Sequence, residues 1–288
     1  MSRLFMRPGL RAGVVSVAMA VSVALLGGAA AMAQSPSAPA APMGSMAPAP
    51  SMAPLPDPSD PGFVAGTVAA PRHIPIQVND NLLFAPNVIS IAEGETITFD
   101  IINVGTATHE FKVGHTMDVL GDLPAAPEVA DITAGTTKSL TYTFEGAGPF
   151  VFACHEPGHL EHGMIGHILV QGPDVPAVGT VEAPRQVLVT MDDTLHFMPA
   201  DIPVKAGETV EFILQNTGTV VHEFQVGDAD MVAADNVDGA KVVEVDGIDP
   251  MHVMTTSYTF AADGNYAYAC HEPGHYEAGM HGTITVTP

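Results

Sequence analysis

The sequence predicts an all-β protein built as two tandem β-sandwich domains with antiparallel pairing. Three observations carry that expectation. Short runs rich in β-branched and aromatic residues, such as "TITFDII" and "TVEFILQ", are bounded by Gly and Asn. No stretch sustains the 3.6-residue apolar period of a helix, although helical turns fit within 115–135 and 228–240. Most of the chain also occurs twice: "AEGETITFDIINVGTATHEFKVG" (92–114) aligns without a gap on "KAGETVEFILQNTGTVVHEFQVG" (205–227).

The N-terminus reads as an export signal. Arg3, Arg7 and Arg11 precede an apolar run from Gly13 to Leu26, and Ala31-Met32-Ala33 fits a small-x-small cleavage site. Residues 1–33 are therefore assigned to a signal peptide cut after Ala33, with a periplasmic or secreted destination. The apolar run is short for a bilayer span, so no integral membrane span is expected in the mature chain. No Cys follows the run to take a lipid anchor.

Residues 34–71 are rich in Pro, Ala and Ser and form a semi-rigid tether. Met43, Met46 and Met52 in it are soft thioethers, though a low-complexity linker that happens to contain Met is the simpler reading. The first domain is placed at 72–172, a Pro/Gly-rich joint at 173–183 and the second domain at 184–288. In the first domain "SLTYTF" alternates, "EGAGP" turns, and "FVFAC" returns; "TSYTF", "AADGN" and "YAYAC" repeat the sequence of events in the second. About seven short strands per hundred residues is the density of a sandwich.

Composition excludes some functions. The mature chain carries six Lys and Arg against 32 Asp and Glu, a formal charge of −26. Such a surface repels nucleic acid and anionic lipid and steers cations or a basic docking face toward itself. A solubility role accounts for the charge equally well.

The chemistry lies in a phrase that occurs twice. Ala153–Val170 and Ala269–Val286 are identical at 13 of 18 positions, and the two cysteines of the chain sit one in each. A disulfide between them does not account for the shared His and Met, and equivalent sites of two separate domains rarely come within bridging distance. In each copy a Cys closes a strand, with His after four intervening residues and Met after four more: Cys154, His159, Met164 and Cys270, His275, Met280. Pro157-Gly158 and Pro273-Gly274 supply the turn. His109 and His222, opening the His-Glu-Phe strands, are the fourth member of each set. Two imidazoles, a thiolate and a thioether suit a copper electron-transfer centre, whereas zinc leaves the fixed Met unexplained.

In these motifs the chain resembles the cupredoxins, the plastocyanin/azurin-like blue copper proteins, over almost the whole mature sequence in two copies. The resemblance implies a Greek-key sandwich with one type 1 copper, cycling between Cu(I) and Cu(II), at one end of each domain. It further implies a redox-protein partner and an electron port at the second loop His, here His159 and His275. One departure stands out: many relatives carry Asn after the first His, where this chain has Glu110 and Glu223.

Enzymes assembled from the same fold are the competing class. Oxidases use His-x-His pairs and copper nitrite reductases a His directly before the Cys; this chain has no His-x-His, and Ala153 and Ala269 precede its cysteines. No turnover is expected. His155 and His271 are read as loop braces rather than ligands of a catalytic copper. A third class, copper sequestration or tolerance, gains from His115, His162, His167, His281 and the Met-bearing tether, a faint resemblance to periplasmic copper-tolerance cupredoxins.

Overall fold

The structure, a computed structural model, describes residues 55–288 apart from 174, 176, 238–240, 262 and 263. The signal segment and the three tether methionines fall outside the described residues.

Each repeat forms a nine-stranded sandwich of one four-stranded and one five-stranded sheet. In the first domain β1 (Arg72–Val78), β2 (Phe84–Ala85), β4 (Thr96–Asn103) and β7 (Thr137–Thr143) make a sheet in the order β2-β1-β4-β7. The facing sheet runs β3-β9-β8-β5-β6, from β3 (Val88–Ala92), β5 (His109–His115), β6 (Glu128–Ile132), β8 (Phe150–Ala153) and β9 (Ile165–Gln171). The second domain repeats the plan. Its smaller sheet contains β10 (Arg185–Met191), β11 (Phe197–Met198), β13 (Thr209–Asn216) and β16 (Val253–Thr259). Its larger sheet contains β12 (Asp201–Lys205), β14 (His222–Asp228), β15 (Val242–Ile248), β17 (Tyr266–Ala269) and β18 (His281–Thr287).

The pairing is mixed, not wholly antiparallel. β1 lies parallel to β4 and β3 parallel to β9, and the second domain matches this with β10/β13 and β12/β18. Parallel neighbours need a crossover, and here the chain makes it through the opposite sheet, by way of β3 between β1 and β4 and of β4 and β7 between β3 and β9. One-turn helices α1 (Thr116–Leu120) and α2 (Ala229–Ala233) fall in the two stretches expected to hold helical turns.

Period-two patterning places the core. Along β4, Ile97, Phe99 and Ile101 are fully buried, while Thr96 and Thr98 meet Thr143 and Thr141 across the strand pair through hydroxyl contacts of 2.9 and 2.8 Å. Phe84, Phe99, Phe111 and Phe152 pack at 5.0–6.3 Å between ring centroids. In the second domain Phe152 is replaced by Tyr268, still fully buried, whose hydroxyl donates to the Pro199 carbonyl at 2.5 Å.

The glutamate of each Gly-Glu-Thr motif is a buried anchor. Glu95 accepts from Gly66 N, Ala92 N and Arg72 Nε and Nη2 at 2.6–3.0 Å. Leu55 packs on the first core and Phe63 lies under the Arg72 guanidinium, so the C-terminal end of the composition-defined tether is seated on the first domain. Glu208 repeats the anchor with Arg185, Lys205 N and Gly179 N.

Burial pushes the Glu208 carboxyl up, but hydrogen bonds from Arg185, Lys205 N and Gly179 N outweigh it and hold the group below its ordinary 4.5. Because the folded-state pKa is depressed, the stabilisation is complete above that ordinary value and fades as pH falls through the folded one. Glu208→Ala is expected to lower stability by about 3 kcal/mol at neutral pH and by less in acid, as read from denaturant midpoints over a pH series.

Candidate metal centre

The site is built from one loop and one strand. β5 pairs antiparallel with β8, Lys112 opposite Ala153, so that His109 at the start of β5 lies at the same end of the sheet as Cys154, just past β8. The register shifts between His109 and Phe111, and a bulge there turns both side chains inward; His109 and Phe111 are fully buried. The loop from Cys154 to Met164 is tied by its own backbone. His159 N donates to Glu156 O, Met164 N to His159 O, and Cys154 N to Met164 O, at 2.9–3.2 Å. The second domain repeats these three bonds through Glu272, His275, Met280 and Cys270.

The ligand-type atoms of His109, Cys154 and His159 all lie within 4.8 Å of one another, as do those of His222, Cys270 and His275. Cys154 Sγ is 3.2 Å from His159 Nδ1 and Cys270 Sγ 3.3 Å from His275 Nδ1. The paired imidazoles stand 5.0 and 5.1 Å apart at 53° and 51°. Met164 and Met280 are fully buried, each in the same core cluster as its Cys. The structure thus gathers the sequence-selected histidines and cysteine in each domain and seats the methionine beside them in the core.

The electrostatics mark these groups as made for something other than water. Both ring nitrogens of His109 and of His222 are buried without a hydrogen-bond partner, a costly state for a polar group. Burial, reinforced by His159, pulls the His109 imidazole down to about 4, and burial with His275 lowers His222. Burial raises both thiols to about 11. Neutral imidazoles and buried free sulfurs are the donor set of a soft or borderline metal, which would satisfy one orphaned nitrogen of each buried imidazole. The residues present therefore fit copper.

Several supporting groups escape a motif search. Asn103, fully inside, donates to Ala107 O and Ile132 O and accepts from Gly105 N at 2.7–2.9 Å, and Asn216 does the same in the second domain. Asp80 Oδ1 accepts from Thr106 N and Ala107 N, and Asp193 serves Thr219 and Val220 likewise. These fix the loop that delivers His109 or His222. A Cβ on Gly105 would stand 2.5 Å from Asp80 Oδ1, so the Gly-Thr pair is required for the capture. The two aspartates lie some 30 residues upstream, and the signal that could have found them is the repeated Asp-x-Leu-x-Phe-x-Pro phrase they open, Asp80 to Pro86 and Asp193 to Pro199.

The Glu that departs from the family pattern keeps the two loops joined. Glu110 N donates to Cys154 Sγ at 3.3 Å, and Glu110 Oε1 meets His155 Nδ1 at 3.2 Å. Thus His155 braces its loop. Glu223 N repeats the bond to Cys270 Sγ at 3.3 Å, but its carboxylate is 3.7 Å from His271 Nδ1, beyond hydrogen-bond length. Burial, with Glu244 and Asp235 nearby, raises the Glu223 carboxyl to about 7.

The extra histidines do not converge. His115 packs on the Phe150 ring, His162 contacts Gly158 O, His167 is buried in β9, and His281 lies against Tyr276. None of them joins a three-donor group among the described residues.

Comparison with known proteins gives the family. The sequence profile "Copper binding proteins, plastocyanin/azurin family" matches twice, at residues 73–171 and 185–287. The copper-resistant cuproprotein CopI of Rubrivivax gelatinosus is 36% identical over 112 residues, spanning 36% of this chain and 68% of that protein. CopI of Pseudomonas aeruginosa is 31% identical over 143 residues, 37% of this chain and 78% of that protein. Among solved structures, dithionite-reduced auracyanin from Roseiflexus castenholzii aligns at 22% identity and a TM-score of 0.33, over 36% of this chain and 97% of that one. The chain is a copper-binding protein and belongs to the plastocyanin/azurin family, with two cupredoxin domains in tandem.

Proposed function

We propose that each domain holds one copper in a type 1 site and that the protein carries single electrons between redox partners outside the cytoplasm. The observation that carries this is the buried His-Cys-His convergence, present twice with nearly the same distances. The proposed ligands are His109, Cys154, His159 and Met164 in the first domain and His222, Cys270, His275 and Met280 in the second.

Copper in such a set supplies a one-electron couple between Cu(I) and Cu(II). The protein's share is rigidity. Strand pairing fixes the first His, backbone bonds close the loop bearing the other three, and a phenylalanine core behind them resists rearrangement. The Glu110 and Glu223 N–H groups, donating to sulfur, stabilise the thiolate and so raise the tendency to hold Cu(I). His159 and His275, partly exposed while their partner imidazoles are buried, offer the path for the electron. The acidic surface favours a partner with a basic docking face. No substrate turnover is proposed. An export signal at 1–33 places the mature protein in the periplasm or outside the cell, and no helix among the described residues is long and apolar enough to cross a membrane.

A second reading, copper tolerance, is favoured by the relatives named as copper-resistant cuproproteins. It uses the same sites and differs in whether bound copper or the passing electron is the cargo. Deletion of the gene separates the two: sensitivity to copper with respiration intact supports tolerance, and a respiratory defect without copper sensitivity supports transport.

Copper titration is expected to saturate at the paired Cys sites with an intense visible thiolate-to-copper band, and Cys154→Ala and Cys270→Ala each to remove about half of it. A colourless copper complex of the unmodified protein overturns the type 1 assignment. His109→Leu removes two orphaned nitrogens from the core, so the metal-free variant is expected to be as stable as the parent or up to about 2 kcal/mol more so. Calorimetry should show that it has nonetheless lost the copper-dependent rise in Tm of that domain. A large loss of metal-free stability would make His109 a structural residue instead.

A further inference from the structure

We propose that the second domain carries an additional site for a divalent cation of the zinc kind, formed by Glu223, Asp235 and His271 beside the Cys270 sulfur. One ligand-type atom from each of the three lies within 4.8 Å of the others. His271 Nδ1 is 3.7 Å from Glu223 Oε1 and 3.8 Å from Asp235 Oδ1. Those gaps exceed a hydrogen bond. They are close to the separation of about 3.4 Å between two ligands that each stand about 2.1 Å from a tetrahedral zinc.

The unpartnered atoms are buried and face one another. Glu223 is 8% exposed, and its Oε1 has no hydrogen-bond partner. Both nitrogens of His271 are likewise buried and unpartnered. Gln225, wholly buried, adds an unpartnered Oε1 while its Nε2 donates to Asp235 at 2.7 Å and Glu244 at 3.2 Å. His271 is held in orientation by Tyr276, stacked at 4.8 Å and 12°. Asp235, with its side chain 60% exposed, gives an entrance from solvent.

The first domain shows what normally occupies this place. There Lys112 stands where the second domain has Gln225, and its ammonium bonds Asp122 and Glu128 at 2.7 Å each. Glu110 meanwhile pairs with His155 at hydrogen-bond distance. The carboxylates are the same in both domains, Glu110, Asp122 and Glu128 answering to Glu223, Asp235 and Glu244. Only the internal cation is missing from the second. Three acids and an imidazole around a neutral amide lack one positive charge, and a bound metal ion supplies it. The donors are nitrogen and oxygen, without sulfur, which suits a borderline divalent ion rather than Cu(I).

The inference stands apart from the type 1 assignment and is tested independently of it. The mature chain, loaded anaerobically with Cu(I) and freed of excess, is dialysed against Zn(II), and both metals are measured. One zinc per chain is expected to bind with copper retained. Asp235→Asn, which keeps an acceptor for Gln225 and tolerates the left-handed backbone there (φ 50°), should weaken that zinc at least tenfold. Gln225→Lys, which installs the first domain's cation, should abolish it, and Lys112→Gln should create a second zinc site. Circular dichroism melts confirm that each variant is folded. Absence of zinc uptake, or uptake equal in the parent, Asp235→Asn and Gln225→Lys, overturns the proposal.

Discussion

A buried imidazole with neither nitrogen bonded to anything is the constraint on which each domain turns. His109 and His222 are wholly enclosed, and their four ring nitrogens have no protein partner. Hydrophobic burial elsewhere must offset that cost. The phenylalanine-lined cores do so, and they also hold β5 against β8, and β14 against β17, at the register that puts the imidazole beside the cysteine sulfur. The supporting hydrogen bonds have the same purpose. Asn103 with Asp80, and Asn216 with Asp193, immobilise the loop before the imidazole, so it cannot swing out to water and relieve its own strain. A fold that keeps an unsatisfied ligand set in place before any metal arrives is preorganised, and small rearrangement on a change of charge follows from that rigidity.

Duplication makes the energetics readable, because each domain is the other's control. Where Phe152 becomes Tyr268, the new hydroxyl finds the Pro199 carbonyl, and the core tolerates the exchange. Where Lys112 becomes Gln225, hydrogen bonds to two carboxylates persist but the charge does not. The first change is neutral repair within a satisfied core. The second leaves local electrostatics altered beside a candidate metal centre, and burial with neighbouring acids drives the Glu223 carboxyl to about 7. Two copies of one site are therefore not set alike.

Much of this was legible from local chemistry. Strand-like runs, the exact repetition of Gly-Glu-Thr and His-Glu-Phe, and the Cys-x4-His-x4-Met spacing point to the sandwich and to the residues that meet at its end, because period-two burial and loop ligands are short-range signals. What escaped was set by long-range pairing. The parallel β1/β4 and β3/β9 neighbours follow from which sheet each strand crosses to, and alternation in a single strand carries no such information. Asp80 and Asp193 read as ordinary turn acids until the loops they capture are placed beside them. The Glu of Gly-Glu-Thr resembles a solvated charge, yet it is buried because an Arg 23 residues away folds over it. His155 and His271 occupy equivalent positions in sequence, and only the three-dimensional exchange of Lys112 for Gln225 separates a brace from an open donor cluster.

Near identity of the two Cys–Met loops also conceals a difference in setting. In the first domain the loop is clasped by its neighbour: His252 Nε2 lies 3.2 Å from the His162 carbonyl, and a Cβ on Gly163 would stand 2.8 Å from the His252 ring. Asn87 adds to the same contact, donating to Met251 O and accepting from Gln215. The corresponding Gly279 has no such crossing contact, its nearest neighbour being His196 of its own domain at 4.0 Å. Strand pairing and bonds within its own domain position the second loop, whereas the first has these and the other domain's contact as well. Movement between domains must therefore strain the His159–Met164 segment and spare the His275–Met280 segment, which makes the domain contact itself part of what defines the first centre.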